Sequence, residues 1–90
     1  MIATRYVLTV TAKCPVAFDY VDVYDLTVEA EQRTIPVEDI LDAIARLTEK
    51  PIFQEELTER LSEELRATVE TFGTHSGVKT TCVAVYEEQP

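Results

Sequence analysis

The chain reads as an α+β domain: an antiparallel four-stranded sheet in the order ββααββ, with an αα-hairpin on one face. Three observations predict this. Stretches near the start and at the end alternate side chains with the period of a strand. The middle carries two apolar stripes at helical spacing. Only Thr48-Glu49-Lys50 and Pro51 separate those stripes, which predicts antiparallel helices on a common surface.

The first strand is predicted over residues 5–13, RYVLTVTAK, with Tyr6, Leu8, Val10 and Ala12 on one face and Val7, Thr9 and Thr11 on the other. Cys14-Pro15 closes it, because proline has no N–H to give a ladder and forces the residue before it toward extended geometry. A turn or bulge is expected over residues 16–19. The second strand, residues 20–30, aligns Tyr24, Leu26, Val28 and Ala30, while Val21, Asp22 and Val23 blur the alternation at its start and suggest cover on both faces.

Glu31-Gln32-Arg33-Thr34 ends that strand, and Pro36 stands where a first helical residue would, followed by Glu38 and Asp39 in an acidic first turn. Val37, Ile40, Leu41, Ile44 and Leu47 predict a helix of about three turns. The best helix is residues 51–65, PIFQEELTERLSEEL, with Phe53, Leu57, Leu61 and Leu65 at every fourth position. Residues 68–72 are short and β-prone. Gly73-Thr74-His75-Ser76-Gly77 reads as a turn with glycine at both ends, and residues 78–86 as a last strand aligning Val78, Thr80, Cys82, Ala84 and Tyr86. The tail EEQP is expected to fray.

Ninety residues, 46% hydrophobic and 28% charged, make one domain over 1–90. A chain of this size buries only about 60–65% of its unfolded surface, so oligomerisation is a ready source of further burial. No stretch has the length of a membrane span, no signal peptide is visible, and a cytoplasmic location is the default expectation. The net charge of −9 argues against nucleic acid as a partner, since that requires basic patches. In that setting Cys14 and Cys82 read as free thiols or metal ligands rather than a disulfide.

Candidate residues follow from position. His75, expected in a glycine-flanked turn, reaches solvent or a neighbouring subunit and has a pKa suited to general acid or base work; a turn histidine without a role is the alternative. Lys79 has two roles open to it, as a phosphate counter-ion or as a solvated surface charge. Cys82, in mid-strand, reads as core packing. Tyr6, Tyr20, Tyr24 and Tyr86 are either sheet aromatics or stacking platforms. Glu55 and Glu56 complement the positive end of a helix dipole, whatever else they do.

The order and the letters resemble the tunnelling fold, whose subunits join edge to edge into β-barrels and bind purine or pterin rings between subunits. IPVEDILDAIARLTEKPIFQEELTERLSEEL is similar to the helix pair of GTP cyclohydrolase I, with Gln54, Glu55, Leu57 and Thr58 matching its Gln-Glu-x-Leu-Thr motif. The strand ending at Cys14 resembles the family strand that ends in a zinc-binding cysteine, and Cys14-Pro15 is also like the Cys-Pro of the second, metal-flexible cyclohydrolase type. GVKTTCVAVY resembles the closing strand. The resemblance implies that Glu55 accepts two N–H groups from a guanine or pterin edge beside Gln54; Lys79, from its charge and place on the strand, is kept as a further candidate substrate contact. The resemblance also implies a zinc-binding or catalytic role for Cys14, and His75, the one histidine in the chain, is the candidate to join it in holding zinc and in catalysis. Two departures stand out: the family histidine three residues after the cysteine is Ala17 here, and His75 is followed by Ser76-Gly77 rather than by a His-x-Cys pair.

The sequence therefore supports a small GTP cyclohydrolase-like protein that forms a homo-oligomer and binds a purine or pterin ring, with hydrolytic chemistry resting on Cys14 and His75. The alternative is a non-catalytic, acidic assembly module without the metal site.

Overall fold

The computed structural model describes residues 2–17 and 19–87. Its elements are β1 (Ala3–Lys13), β2 (Val21–Glu31), α1 (Val37–Leu47), α2 (Gln54–Leu65), β3 (Thr68–His75) and β4 (Val78–Ala84). All neighbouring strands are antiparallel in the order β1-β2-β3-β4, which leaves β1 and β4 as the edges. The α+β class and the ββααββ order expected from the sequence are those observed.

One face of the sheet is the core. Val10 and Ala12 of β1, Tyr24, Leu26, Val28 and Ala30 of β2, and Val69 of β3 are buried there beneath Leu57, Leu61 and Leu65 of α2. Ile40, Ala43 and Leu47 bring α1 into the same cluster. Each large aliphatic side chain taken fully out of water contributes roughly 1.5–3 kcal/mol, so this single layer supplies the main driving force for folding.

The local differences from the sequence pattern have identifiable causes. The second helix begins at Gln54, not Pro51, because residues 51–53 stay extended and the Ile52 N–H donates to the Lys13 carbonyl at 3.1 Å. Phe53 is consequently the N-cap and 47% exposed, and Ile52 takes the core place assigned to it. On α1, Val37 and Leu41 face solvent while Ala43 is buried, so the stripe is narrower than its period suggests. Asp22 does not blur β2: it is buried in phase with Tyr24 and Leu26, between the exposed Val21 and Val23.

Gly73 and His75 belong to β3, and the β3–β4 turn is only Ser76-Gly77, both at positive φ as a two-residue hairpin loop requires. The last strand ends at Ala84 rather than residue 86. Cys82 is half-buried and faces the α2 side of an edge strand, so it is not the fully packed residue expected of a strand centre. The turn expected over residues 16–19 includes Phe18, and the frayed tail includes residues 88–90, all outside the described residues.

α2 stops at Arg66, which takes the left-handed conformation with φ 52°. The Ser62 hydroxyl donates to the Ala67 carbonyl at 2.7 Å, and the Arg33 guanidinium donates to the carbonyls of Leu65 and Arg66. These contacts supply partners for groups that a helix end leaves open.

Candidate functional site: a cysteine, an aspartate and a histidine at one end of the sheet

Register alone brings three reactive side chains together. Ala12 of β1 pairs with Asp22 of β2, and Cys14 lies two residues beyond Ala12, on the same face. Tyr24 of β2 pairs with Gly73 of β3, so two residues further along the same two strands Asp22 meets His75. Cys14, Asp22 and His75 thus share the core face at one end of three adjacent strands, and their donor atoms all lie within 4.8 Å of one another.

Asp22 is the centre of this group. Its carboxylate, buried at 6% exposure, would be costly to desolvate unless its oxygens found partners. Oδ1 lies 2.9 Å from His75 Nδ1, and Oδ2 accepts from the Tyr24 hydroxyl at 3.3 Å. A carboxylate only accepts, so His75 carries its proton on Nδ1 and turns Nε2 away from the aspartate. Tyr24 is itself buried; that burial, and then the Asp22 charge, push its hydroxyl well above the usual phenol range and keep it a donor. The Tyr20 ring lies tilted against the imidazole of His75, 4.6 Å between centroids.

The helices close the other side. The Ile52–Lys13 hydrogen bond seats residues 51–53 over the end of β1, and α2 then starts beside the cluster. The result is a cavity of about 330 Å³ whose lining includes Cys14, Asp22, His75, Phe53, Gln54 and Glu55. That is at the small end of the range of ligand sites. A larger groove of about 680 Å³ runs between α2 and β4 past Glu55, Glu59, Glu63 and Cys82. It is acidic and lacks the Cys14 group.

Of the residues singled out in the sequence, Cys14, His75, Gln54 and Glu55 meet at the smaller cavity. Glu56 does not, and pairs instead with Arg60 on the helix surface at 3.4 Å. Gln54 directs its amide nitrogen at main-chain oxygens of the sheet. Lys79 sits exposed opposite Thr74 and is not part of the cavity wall. Of the four tyrosines, Tyr24 and Tyr20 serve the cluster, while the Tyr6 hydroxyl accepts from the Ile35 N–H at 2.7 Å. Asp22 is the residue that sequence reasoning missed. The signal was present: counting back by two from Tyr24 places a carboxylate on the core face, where side chains are ordinarily apolar.

Sheet order, register and helix placement are those of the tunnelling fold. No protein-family model matches the chain, and no curated protein matches it. Among solved structures, the crystal structure of the archaeosine synthase QueF-Like in the apo form is similar, with a TM-score of 0.83 over 98% of this chain and 96% of that one. The two are 21% identical, and at that identity the likeness speaks for the fold alone.

Proposed function

We propose that this protein binds a purine- or pterin-like ring in the Cys14 cavity, holding the ring edge through Glu55 and acting on it with Cys14, His75 and Asp22. The observation that carries this reading is the placement of a thiol, an imidazole and a buried carboxylate against the cavity that Glu55 also lines. Core packing gives no reason for a buried aspartate there, and a histidine oriented through Nδ1 is the arrangement that general acid–base work uses. In this reading His75 moves the proton at Nε2, Asp22 holds the ring and its tautomer, and Cys14 is the nucleophile. Glu55 supplies two acceptors for two adjacent N–H donors, a charge-assisted and directional contact. The archaeosine synthase that shares the fold is an enzyme by its name, which supports a cavity built for chemistry.

A second reading has its own observation. Thiolate, imidazole and carboxylate are zinc-ligand types, and three donors within 4.8 Å suit a tetrahedral ion with one open position. Cys14, His75 and Asp22 would then hold zinc, and a bound zinc would supply an acidified water. The fit makes hydrolytic, cyclohydrolase-type chemistry available to this site. Assembly of subunits through the free edges of β1 and β4 completes the proposal.

Calorimetric titration with guanosine and with 7,8-dihydropterin tests the reading. Binding by the wild type, weakened by about 2–3 kcal/mol in Glu55→Gln and little changed in Glu56→Gln, is the expected pattern. Equal affinities for the two variants, or no binding by the wild type, would return the chain to the acidic assembly module. Zinc titration followed by elemental analysis separates the two chemistries: stoichiometric uptake lost in Asp22→Ala supports the metal site, and no uptake leaves the thiol as nucleophile.

A further inference from the structure

The first turn of α2 is fastened to the sheet by polar side chains standing where packing alone would place aliphatic ones. Thr58 and Thr71 are 1% and 0% exposed, on facing sides of the helix–sheet interface. Thr58 Oγ1 lies 2.7 Å from the Gln54 main-chain oxygen, which only accepts, so Thr58 donates there. Thr71 must then donate to Thr58 across 2.7 Å, and Thr71 Oγ1 accepts from Gln54 Nε2 at 3.2 Å. Gln54 Nε2 also reaches the main-chain oxygens of Thr71 at 3.2 Å and Thr80 at 3.0 Å. The amide cannot be flipped, because its oxygen would then face two carbonyl acceptors. Both amide hydrogens are therefore committed to β3 and β4.

Glu55 is the next residue along, and it forms part of the wall between the Cys14 cavity and the α2–β4 groove. We infer that Gln54 is a positioning residue, whose clamp through Thr58 and Thr71 onto β3 and β4 fixes the turn that delivers Glu55 to the cavity. The inference rests on the reading of Glu55 as the ring-binding carboxylate. It assigns Gln54 no N–H contact with the ligand. A fully satisfied buried network of this kind selects one geometry over near alternatives, which a carboxylate that must meet two N–H groups in plane requires.

The test is a double-mutant cycle between Gln54 and Glu55, read in two ways. Without any ligand, Cys14→Ser leaves Cys82 as the single thiol. Burial first, and then the Glu55 charge, push the Cys82 thiol up while a hydrogen bond with Thr71 pulls it down, so only the part of its rate of alkylation by iodoacetamide that depends on Glu55 being present reports where the carboxylate stands. Gln54→Ala and Glu55→Gln should each accelerate alkylation roughly twofold to threefold near neutral pH, and the double variant should react no faster than Glu55→Gln alone. Equal acceleration by Gln54→Ala whether or not Glu55 is present would mean general loosening and would overturn the inference. With guanosine or 7,8-dihydropterin as titrant, Gln54→Ala should weaken binding about tenfold in the presence of Glu55 and hardly at all in its absence. A wild type that binds neither probe defeats the ring-binding reading, and the thiol rates still decide the role of Gln54.

Discussion

Gly73 should tolerate no side chain, and the reason is Tyr24 rather than backbone conformation. The two residues pair across β2 and β3, and the Tyr24 ring lies over the glycine. A Cβ at position 73 would come within 2.6 Å of Tyr24 Cδ1 and 2.9 Å of Cε1. Carbon atoms pack at about 3.5–4.0 Å, so the ring must retreat by roughly 1 Å. Tyr24 is buried at 4% exposure and has little room to do so. Its hydroxyl is already 3.3 Å from Asp22, the long end for such a bond, and a further shift breaks it. Overpacking of this kind costs about 1–3 kcal/mol. Against that, alanine recovers about 0.5–1 kcal/mol of backbone entropy relative to glycine. Gly73→Ala should therefore lose about 1–2 kcal/mol in urea denaturation. In a Tyr24→Val background, which removes the two ring atoms and leaves the 3.1 Å approach to the Val23 main-chain oxygen, the same substitution should cost much less. An equal loss in both backgrounds, or none in either, would show that the ring does not rest on Gly73.

Other expectations follow from the same structure. Ser76 holds φ 51° without being glycine, so Ser76→Gly should relieve about 1 kcal/mol and raise the unfolding midpoint; a lower midpoint would contradict the hairpin geometry. The hydrogen bond from Arg46 to Glu64, at 2.8 Å, holds the Glu64 carboxyl below its usual range. Its stabilising effect is thus complete above the ordinary carboxylate pKa and is lost as pH falls through the lowered value. Glu64→Gln should flatten the acid limb of stability slightly and leave neutral pH nearly unchanged, because the pair is largely exposed. Open edges on β1 and β4 predict self-association, and sedimentation at micromolar concentration returning the 10.2 kDa of a single chain would remove that expectation.

Much of the fold was legible because period is a local property. Alternation in β1 and β2 and the spacing of Ile40, Leu47, Leu57 and Leu61 identify the elements without any knowledge of their partners. Boundaries were less legible where a tertiary contact decides them. The Ile52–Lys13 hydrogen bond joins residues far apart in the chain and keeps Phe53 out of the helix, although Phe53 fits the helical stripe. Gly73 looked like a turn residue because glycine usually marks turns, whereas here it makes room for a ring. Cys14, His75 and Glu55 could be named from residue chemistry and a motif. Their meeting could not, since His75 and Asp22 are 53 residues apart and come together only through the register of β2 with β3. Asp22 was the one part of the cluster that the strand pattern could have given by itself.

If one cavity holds a ligand ring on Glu55 and places it against Cys14, bound ligand shields that thiol. Protection of Cys14 measures this most directly: iodoacetamide labelling of the intact protein, with the modified cysteine located by peptide mass spectrometry, in the presence and absence of guanosine or 7,8-dihydropterin. A saturating ligand should slow Cys14 labelling at least about tenfold in the wild type, leave Cys82 labelling much less affected, and at the same concentration give little protection in Glu55→Gln. Labelling of Cys14 at the same rate with and without ligand, or protection that persists undiminished in Glu55→Gln, would contradict it.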